Sequence, residues 1–230
     1  RDRLRSRGLE DVYKRQILMS QILLTGKVGN DLFELGNKWL RHLPGGLGVA
    51  TVFACAIFAA ITGSSVACAV TIGAIAIPEM LSRGYERTLV LGAVAAGGTL
   101  GILIPPSIPM ILYGAITGES VGQLFMSGVV PGVILTLLFI AVVVYSSRKL
   151  PLQEAASWEE RFQALRSSFW GLLLPVLVVG GIYTGAFTPT EAAAIGTVYS
   201  LFITFVIYRT LGLKLSLIHI SEPTRPEPIS

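Results

Sequence analysis

The 230-residue sequence predicts an all-α, multi-pass membrane protein containing a re-entrant helical hairpin and a discontinuous transmembrane helix. Composition puts it in a bilayer: 52% of residues are hydrophobic and 14% charged, with a mean hydropathy of +0.68, whereas soluble domains carry about 25% charge. Charge-free runs supply the helices: Leu47–Pro78, Thr88–Gly118, Ser120–Ser147, Ser167–Thr190 and Ala192–Tyr208. The first two have the wrong length or content for a plain spanning helix, and they hold the candidate site.

The formal net charge of +4 invites a nucleic-acid reading until the basic residues are located. Seven of the 18 lie at the two ends. Asp11–Gln16 (DVYKRQ) can be encoded by GAT GTG TAT AAG AGA CAG, whose reverse complement encodes Leu-Ser-Leu-Ile-His-Ile, the residues at Leu215–Ile220. Two segments written on opposite strands of one oligonucleotide indicate a ligated sequencing-library adaptor. Residues 1–16 and 215–230 are therefore expected to be translated adaptor. Residues 17–214 keep 11 basic and 9 acidic residues, so no nucleic-acid partner is implied. No signal peptide is visible at Ile17, and the reading frame is expected to open inside a gene. Cys55 and Cys68 lie in apolar stretches, where a thiol packs as a small side chain.

In chain order, 17–24 reads as the stub of an earlier helix. Over 28–43 the residues Val28, Leu32, Leu35, Trp39 and Leu43 share one helical face opposite Asp31, Glu34, Lys38 and Arg41, predicting a surface helix that braces the hairpin. The run 47–78 is 32 residues long, interrupted by Thr62-Gly63-Ser64-Ser65. Two arms of about 16 residues reach roughly 24 Å, short of a 30 Å hydrocarbon core, so a re-entrant hairpin fits. Returning the hairpin to the side it entered from puts Lys27, Lys38, Arg41, Arg83, Arg87, Arg148, Lys149, Arg161, Arg166, Arg209 and Lys214 on one face. Positive-inside bias makes that face cytoplasmic, leaving Glu119 and Glu191 near the other surface.

The run 88–118 carries Gly98-Thr-Leu-Gly-Ile-Leu-Ile-Pro-Pro-Ser-Ile-Pro109 at mid-depth. Paired prolines remove amide donors and break the helix. Irregular backbone at that depth survives where protein buries it or it lines a polar cavity, so two interrupted segments point to an ion or substrate site. Proline kinks that only shape a bundle are the structural alternative. Spans come next over 129–147, 168–187 and 190–208, with Pro131 marking a helix start and Pro175 a kink. Ser157 and Glu160 have capping-box spacing ahead of an apolar stripe of Trp158, Phe162 and Leu165, read as a second surface helix. Thr188-Pro189-Thr190-Glu191 reads as a helix cap, with Glu191 structural rather than ligand-binding, and isolated His42 as an interfacial packing residue. The charge-free runs hold no Asp, Glu or His, which removes intramembrane metalloprotease and aspartyl-protease readings; a purely structural subunit predicts no discontinuous segments.

Gly63-Ser-Ser-Val-Ala, Pro78-Glu-Met followed by Arg83-Gly-Tyr, the Gly98–Pro109 block and Thr188-Pro-Thr-Glu-Ala-Ala-Ala together resemble the large membrane subunit (DctM-type) of tripartite ATP-independent periplasmic (TRAP) transporters. The resemblance covers 17–214. It implies half of an elevator-type secondary transporter of the bacterial inner membrane, with inverted repeats, sodium (Na+) as coupling ion and no organic cofactor. It also implies two protein partners besides the lipid bilayer, a small membrane subunit (DctQ-type) and a periplasmic solute-binding protein (DctP-type), and small organic anions as substrates: dicarboxylates, keto acids or sugar acids. The second repeat is missing, so the fragment is expected not to transport. A two-component dicarboxylate or citrate symporter is the alternative. Under this resemblance the sodium ligands are expected among Thr62, Gly63, Ser64, Ser65, Thr99, Gly101, Ile104 and Pro106, since sodium prefers hydroxyl and carbonyl oxygens, and the substrate contacts among Ser65, Pro105 and Ser107.

Overall fold

The structure, a computed structural model, describes residues 18–19, 22–23, 27–148, 150 and 152–208; both suspected adaptor segments lie outside these. Regular structure among the described residues is helical: α1 Val28–Leu40, α2 Gly46–Thr62, α3 Ser65–Ser82, α4 Arg87–Leu103, α5 Ile108–Thr117, α6 Val121–Ser146, α7 Trp158–Tyr183 and α8 Pro189–Phe202, which passes into a π-helical turn over Ile203–Ile207. Among the described residues four segments are long and apolar enough to cross a membrane: Ser65–Ser82, Arg87–Thr117 counted through its break, Val121–Ser146 and Trp158–Tyr183. The chain is a multi-pass membrane protein.

α2 and α3 form an antiparallel hairpin. Gly63 caps α2 in the left-handed conformation at φ 63°, which a Cβ would disfavour, and Ser64 caps α3 by accepting the Ala67 N–H at 3.3 Å. At the hairpin base the Thr51 hydroxyl lies 3.4 Å from the Met80 sulfur. A Cβ on nearby Gly48 would stand 2.6 Å from Val143 of α6 and 3.7 Å from Tyr85, just before α4. The chain therefore enters and leaves the hairpin at one end of the bundle, beside the start of α4 and the end of α6. The start of α7 joins the same end: Arg41 donates to the Glu154 carbonyl at 2.7 Å, and Lys38 pairs with Glu160 at 2.8 Å.

α1 braces the hairpin as its amphipathic pattern predicts. Val28, Leu32 and Leu35 are buried, and Gly36 lies against Ala50 of α2, where an added Cβ would be 3.0 Å from the Ala50 carbonyl oxygen. Its other contacts reach α7, where Ser168 donates to the Asp31 carbonyl at 2.9 Å and Trp39 to the Arg161 carbonyl at 3.3 Å. The central core joins Leu32, Phe58, Ile61, Cys68, Ile72, Val90 and Leu174. Cys55 and Cys68 are free and buried, the Cys68 thiol donating to the Cys55 carbonyl at 3.4 Å.

Several boundaries differ from expectation. The hairpin runs 46–82 rather than 47–78, because Pro78 sits inside α3 without ending it; its arms have 17 and 18 residues instead of about 16. Pro131 does not start a helix. α6 begins at Val121 and carries the proline in its interior, an arrangement spanning helices tolerate when neighbours re-satisfy the freed carbonyl. The expected surface helix after Ser157 is the opening of α7 itself, which runs unbroken from Trp158, so the span expected at 168–187 is 158–183. The Ser157–Glu160 capping box launches that helix, with reciprocal bonds of 3.2 and 3.0 Å, and no glycine or proline interrupts it before Gly171. Where a last span is expected over 190–208 the structure has α8 and its π turn, apolar but shorter than the four segments long enough to cross; it is started by the Thr188–Glu191 capping box at 2.8 and 3.3 Å.

Because the base of the hairpin, the α3–α4 turn and the start of α7 share one end, exposed Ser82 and Ser157 lie at one end of the bundle and exposed Ser120 at the other. With Cys55 and Cys68 replaced by Ala, single cysteines at Ser82 and Ser157 should share the same reactivity toward an impermeant thiol reagent, opposite to that of Ser120. Labelling of Ser82 together with Ser120 would refute this arrangement.

Candidate functional site

The tip of the hairpin meets the break between α4 and α5. α4 ends because Pro105 and Pro106 have no N–H to give the carbonyls of Gly101 and Ile102, four residues earlier. Ile104 caps α4 in extended conformation, its N–H bonding the Leu100 carbonyl at 2.8 Å, and the Pro105–Pro106 peptide is cis. The Ser107 hydroxyl donates to the Ile102 carbonyl at 2.7 Å, and Ser107 also stands at the start of α5. Across the junction the Ile108 N–H points to the Gly63 carbonyl at 3.5 Å.

Glycines make this approach possible. A Cβ on Gly101 would stand 2.7 Å from the Ser65 nitrogen and 2.8 Å from the Ser64 carbonyl carbon, both backbone atoms. On Gly98 it would meet the Ala69 Cβ at 2.9 Å, and on Gly97 the Cys55 sulfur at 2.8 Å. Gly97, Gly98 and Gly101 share one face of α4, so the hairpin lies backbone to backbone along it.

Of the residues expected to hold sodium, the structure brings Thr62, Gly63, Ser64, Ser65 and Gly101 into this junction, with Ile104 and Pro106 in the break beside it. Thr62 is fully buried, its hydroxyl donating to the Phe58 carbonyl at 2.9 Å. Ser64 and Ser65 are half-buried. Thr99 is not brought in: it is exposed, and its hydroxyl bonds the Ala96 carbonyl of its own helix at 2.7 Å. Of the residues expected to touch substrate, Ser65 is at the tip, and Pro105 and Ser107 are buried in the break.

Sequence reasoning missed the support given by α6. A Cβ on Gly128 would come 2.7 Å from the Leu103 carbonyl oxygen, and one on Gly132 2.9 Å from the Ile104 side chain. The signal was present as a Gly-x-x-x-Gly spacing, which permits close helix approach in membranes.

Electrostatically, the junction holds four helix ends and no ionisable side chain within 62–65 or 98–107. The C-termini of α2 and α4 turn partial negative charge toward it and the N-termini of α3 and α5 partial positive charge. Such a point has carbonyl ends suited to a small cation and amide ends suited to an anion.

Gly101→Val should lower thermal stability in detergent, since overpacking against backbone costs about 1–3 kcal/mol. Gly92→Ala, with nothing within 4 Å of the added Cβ, should be neutral or stabilising. Equal melting of the two variants would show that the close approach at Gly101 contributes nothing.

Residues 15–222 match the family described as tripartite ATP-independent periplasmic transporter, DctM component. The chain is 46% identical over 200 residues to a C4-dicarboxylate TRAP transporter large permease protein from Pseudomonas aeruginosa, covering 86% of this chain and 47% of the relative. An ectoine TRAP transporter large permease from Halomonas elongata is 41% identical, covering 86% and 47%. A sialic acid TRAP transporter permease from Haemophilus influenzae is 36% identical, covering 86% and 32%. The chain thus spans about half the length, or less, of the curated relatives it matches. These relatives are transporter permeases, not enzymes, and the chain belongs to the DctM family of TRAP transporter large permeases.

Proposed function

We propose that the chain is the first half of the membrane-embedded subunit of a sodium-driven secondary transporter for small organic anions. The observation that carries this reading is the buried, uncharged meeting of four helix ends at the hairpin tip and the helix break. Sodium is taken by hydroxyl and carbonyl oxygens of Thr62–Ser65 and of Gly101, Ile104 and Pro106; neutral dipoles suffice for an ion that must also leave. Thr99, exposed and bonded within its own helix, stands outside this set. A substrate carboxylate, the group common to dicarboxylates, ectoine and sialic acid, meets the N-terminal ends at Ser65 and Ser107 beside Pro105.

The hairpin is re-entrant in this reading. Its tip stops at the level of the α4–α5 break, while α5 continues another ten residues toward the far surface. The bundle is one half of an elevator-type carrier in the bacterial inner membrane, and a second half supplies a matching hairpin and broken helix. The partners are a small membrane subunit and a periplasmic solute-binding protein. By itself the fragment does not transport. We further read 1–16 and 215–230 as translated adaptor; resequencing the locus should find different codons there, and homologous codons running through both ends would refute it.

Once the second half is restored and the complex reconstituted, Ser64→Ala or Ser65→Ala should raise the sodium concentration for half-maximal uptake, while Cys55→Ala should leave it unchanged. Unaltered sodium dependence in both serine variants, with normal protein in the membrane, would remove those hydroxyls from the site.

A further inference from the structure

At the end of the bundle where α1 and α7 meet, Arg161 is held by aromatic rings rather than by an acid. Its guanidinium carbon lies 5.1 Å from the centroid of the Trp158 ring and 6.0 Å from that of Trp39. Its Nε is buried without a hydrogen-bond partner. The neighbouring Glu160 is occupied by Lys38 at 2.8 Å and Arg41 at 3.4 Å. Glu154 and Glu159 are exposed, and Arg161 forms no ion pair with either among the described residues. A second guanidinium, that of Arg148, stacks on Tyr145 at 4.6 Å where α6 ends, across the loop leading to α7.

Below this cationic end runs an apolar strip. Trp158, Phe162 and Phe169 succeed one another at helical spacing on one face of α7, and are 67%, 64% and 50% exposed. A charged group at a helix end above an exposed aromatic face matches one ligand shape, a polar anion joined to hydrocarbon. Tryptophan and arginine at this level also suit the headgroup zone, where aromatic rings and snorkelling cations collect.

We propose that Arg161, framed by Trp39 and Trp158, binds the phosphate of an anionic phospholipid whose acyl chain lies along Phe162 and Phe169. The anionic class is favoured over the zwitterionic because Arg161 lacks an acid of its own, and a zwitterionic headgroup would bring an ammonium into a neighbourhood already holding Lys38, Arg41 and Arg148. The site is remote in sequence from the hairpin tip and the helix break, and does not depend on the transport reading.

The test uses the 230-residue chain in phosphatidylcholine nanodiscs containing the same minor fraction of either phosphatidylglycerol or phosphatidylcholine with shallow-brominated acyl chains. With Trp170 replaced by Phe, quenching of tryptophan fluorescence reports which lipid sits beside Trp39 and Trp158, the two rings that frame Arg161. About a fivefold enrichment of the brominated phosphatidylglycerol is expected, the attraction typical of one basic side chain near an anionic lipid. Arg161→Ala should abolish the preference with unchanged helical circular dichroism, whereas Arg83→Ala, removing a cation paired to Glu79 at 2.7 Å, should preserve it. Equal quenching by the two lipids in the chain with Arg161 in place would overturn the proposal whatever the variants do, and leave this face to a protein partner. Inorganic phosphate, but not chloride at equal ionic strength, should weaken the preference by competing for Arg161.

Discussion

The rest of the structure depends on the close approach of Gly101 to the backbone of Ser64 and Ser65. In a bilayer the four helix ends at this point have no water to satisfy them, and each unmet backbone group is costly. Separated by a side chain, the hairpin turn and the proline break would be two independent defects. Brought together they share partners: the Ile108 N–H reaches the Gly63 carbonyl, and Ser107 answers the Ile102 carbonyl that Pro106 cannot. Gly97 and Gly98 extend the same approach against Cys55 and Ala69, so the contact is a seam rather than a point.

The remaining helices fix the ends of that seam. α6 presses Gly128 and Gly132 onto Leu103 and Ile104, backing the break from outside, while α1 lies across the hairpin through Val28, Leu32 and Gly36. The ion pairs of Lys38 and Arg41 with Glu160 are partly exposed, and pairs of that kind contribute little to stability. They tie the end of α1 to the start of α7, and by occupying Glu160 they leave Arg161 to the indole rings.

Legibility tracks the range of the interaction. Both discontinuities are readable because Pro105, Pro106 and Gly63 act within four residues of themselves, and the two capping boxes because they span three. The turn between the hairpin's arms is readable from Thr62-Gly63-Ser64-Ser65, which interrupts one long apolar run. The features that sequence misplaces need knowledge of neighbours. Pro131 looks like a helix start in isolation, yet α6 carries it internally. The join of 158–167 to the span after it is hidden by a change of polarity that does not interrupt the helix. Thr99 is the exception: its hydroxyl is of the right kind, but helical periodicity, without any neighbour, already separates it from the face shared by Gly97, Gly98 and Gly101.

The hydroxyls at the junction bear on what it can bind. Thr62 gives its proton to the Phe58 carbonyl. Ser107 gives its own to the Ile102 carbonyl, so toward any further ligand it offers lone pairs rather than a proton. Ser64 is oriented differently: its oxygen accepts the Ala67 N–H at 3.3 Å and keeps its proton to donate elsewhere. A group of fixed acceptors is what a desolvated cation requires, and a hydroxyl still holding its proton beside the amide ends of α3 and α5 is what a carboxylate requires. In the proposed reading a cation and a carboxylate call on different members of one small cluster, each neutralising the charge that the other leaves unbalanced in a medium of low dielectric.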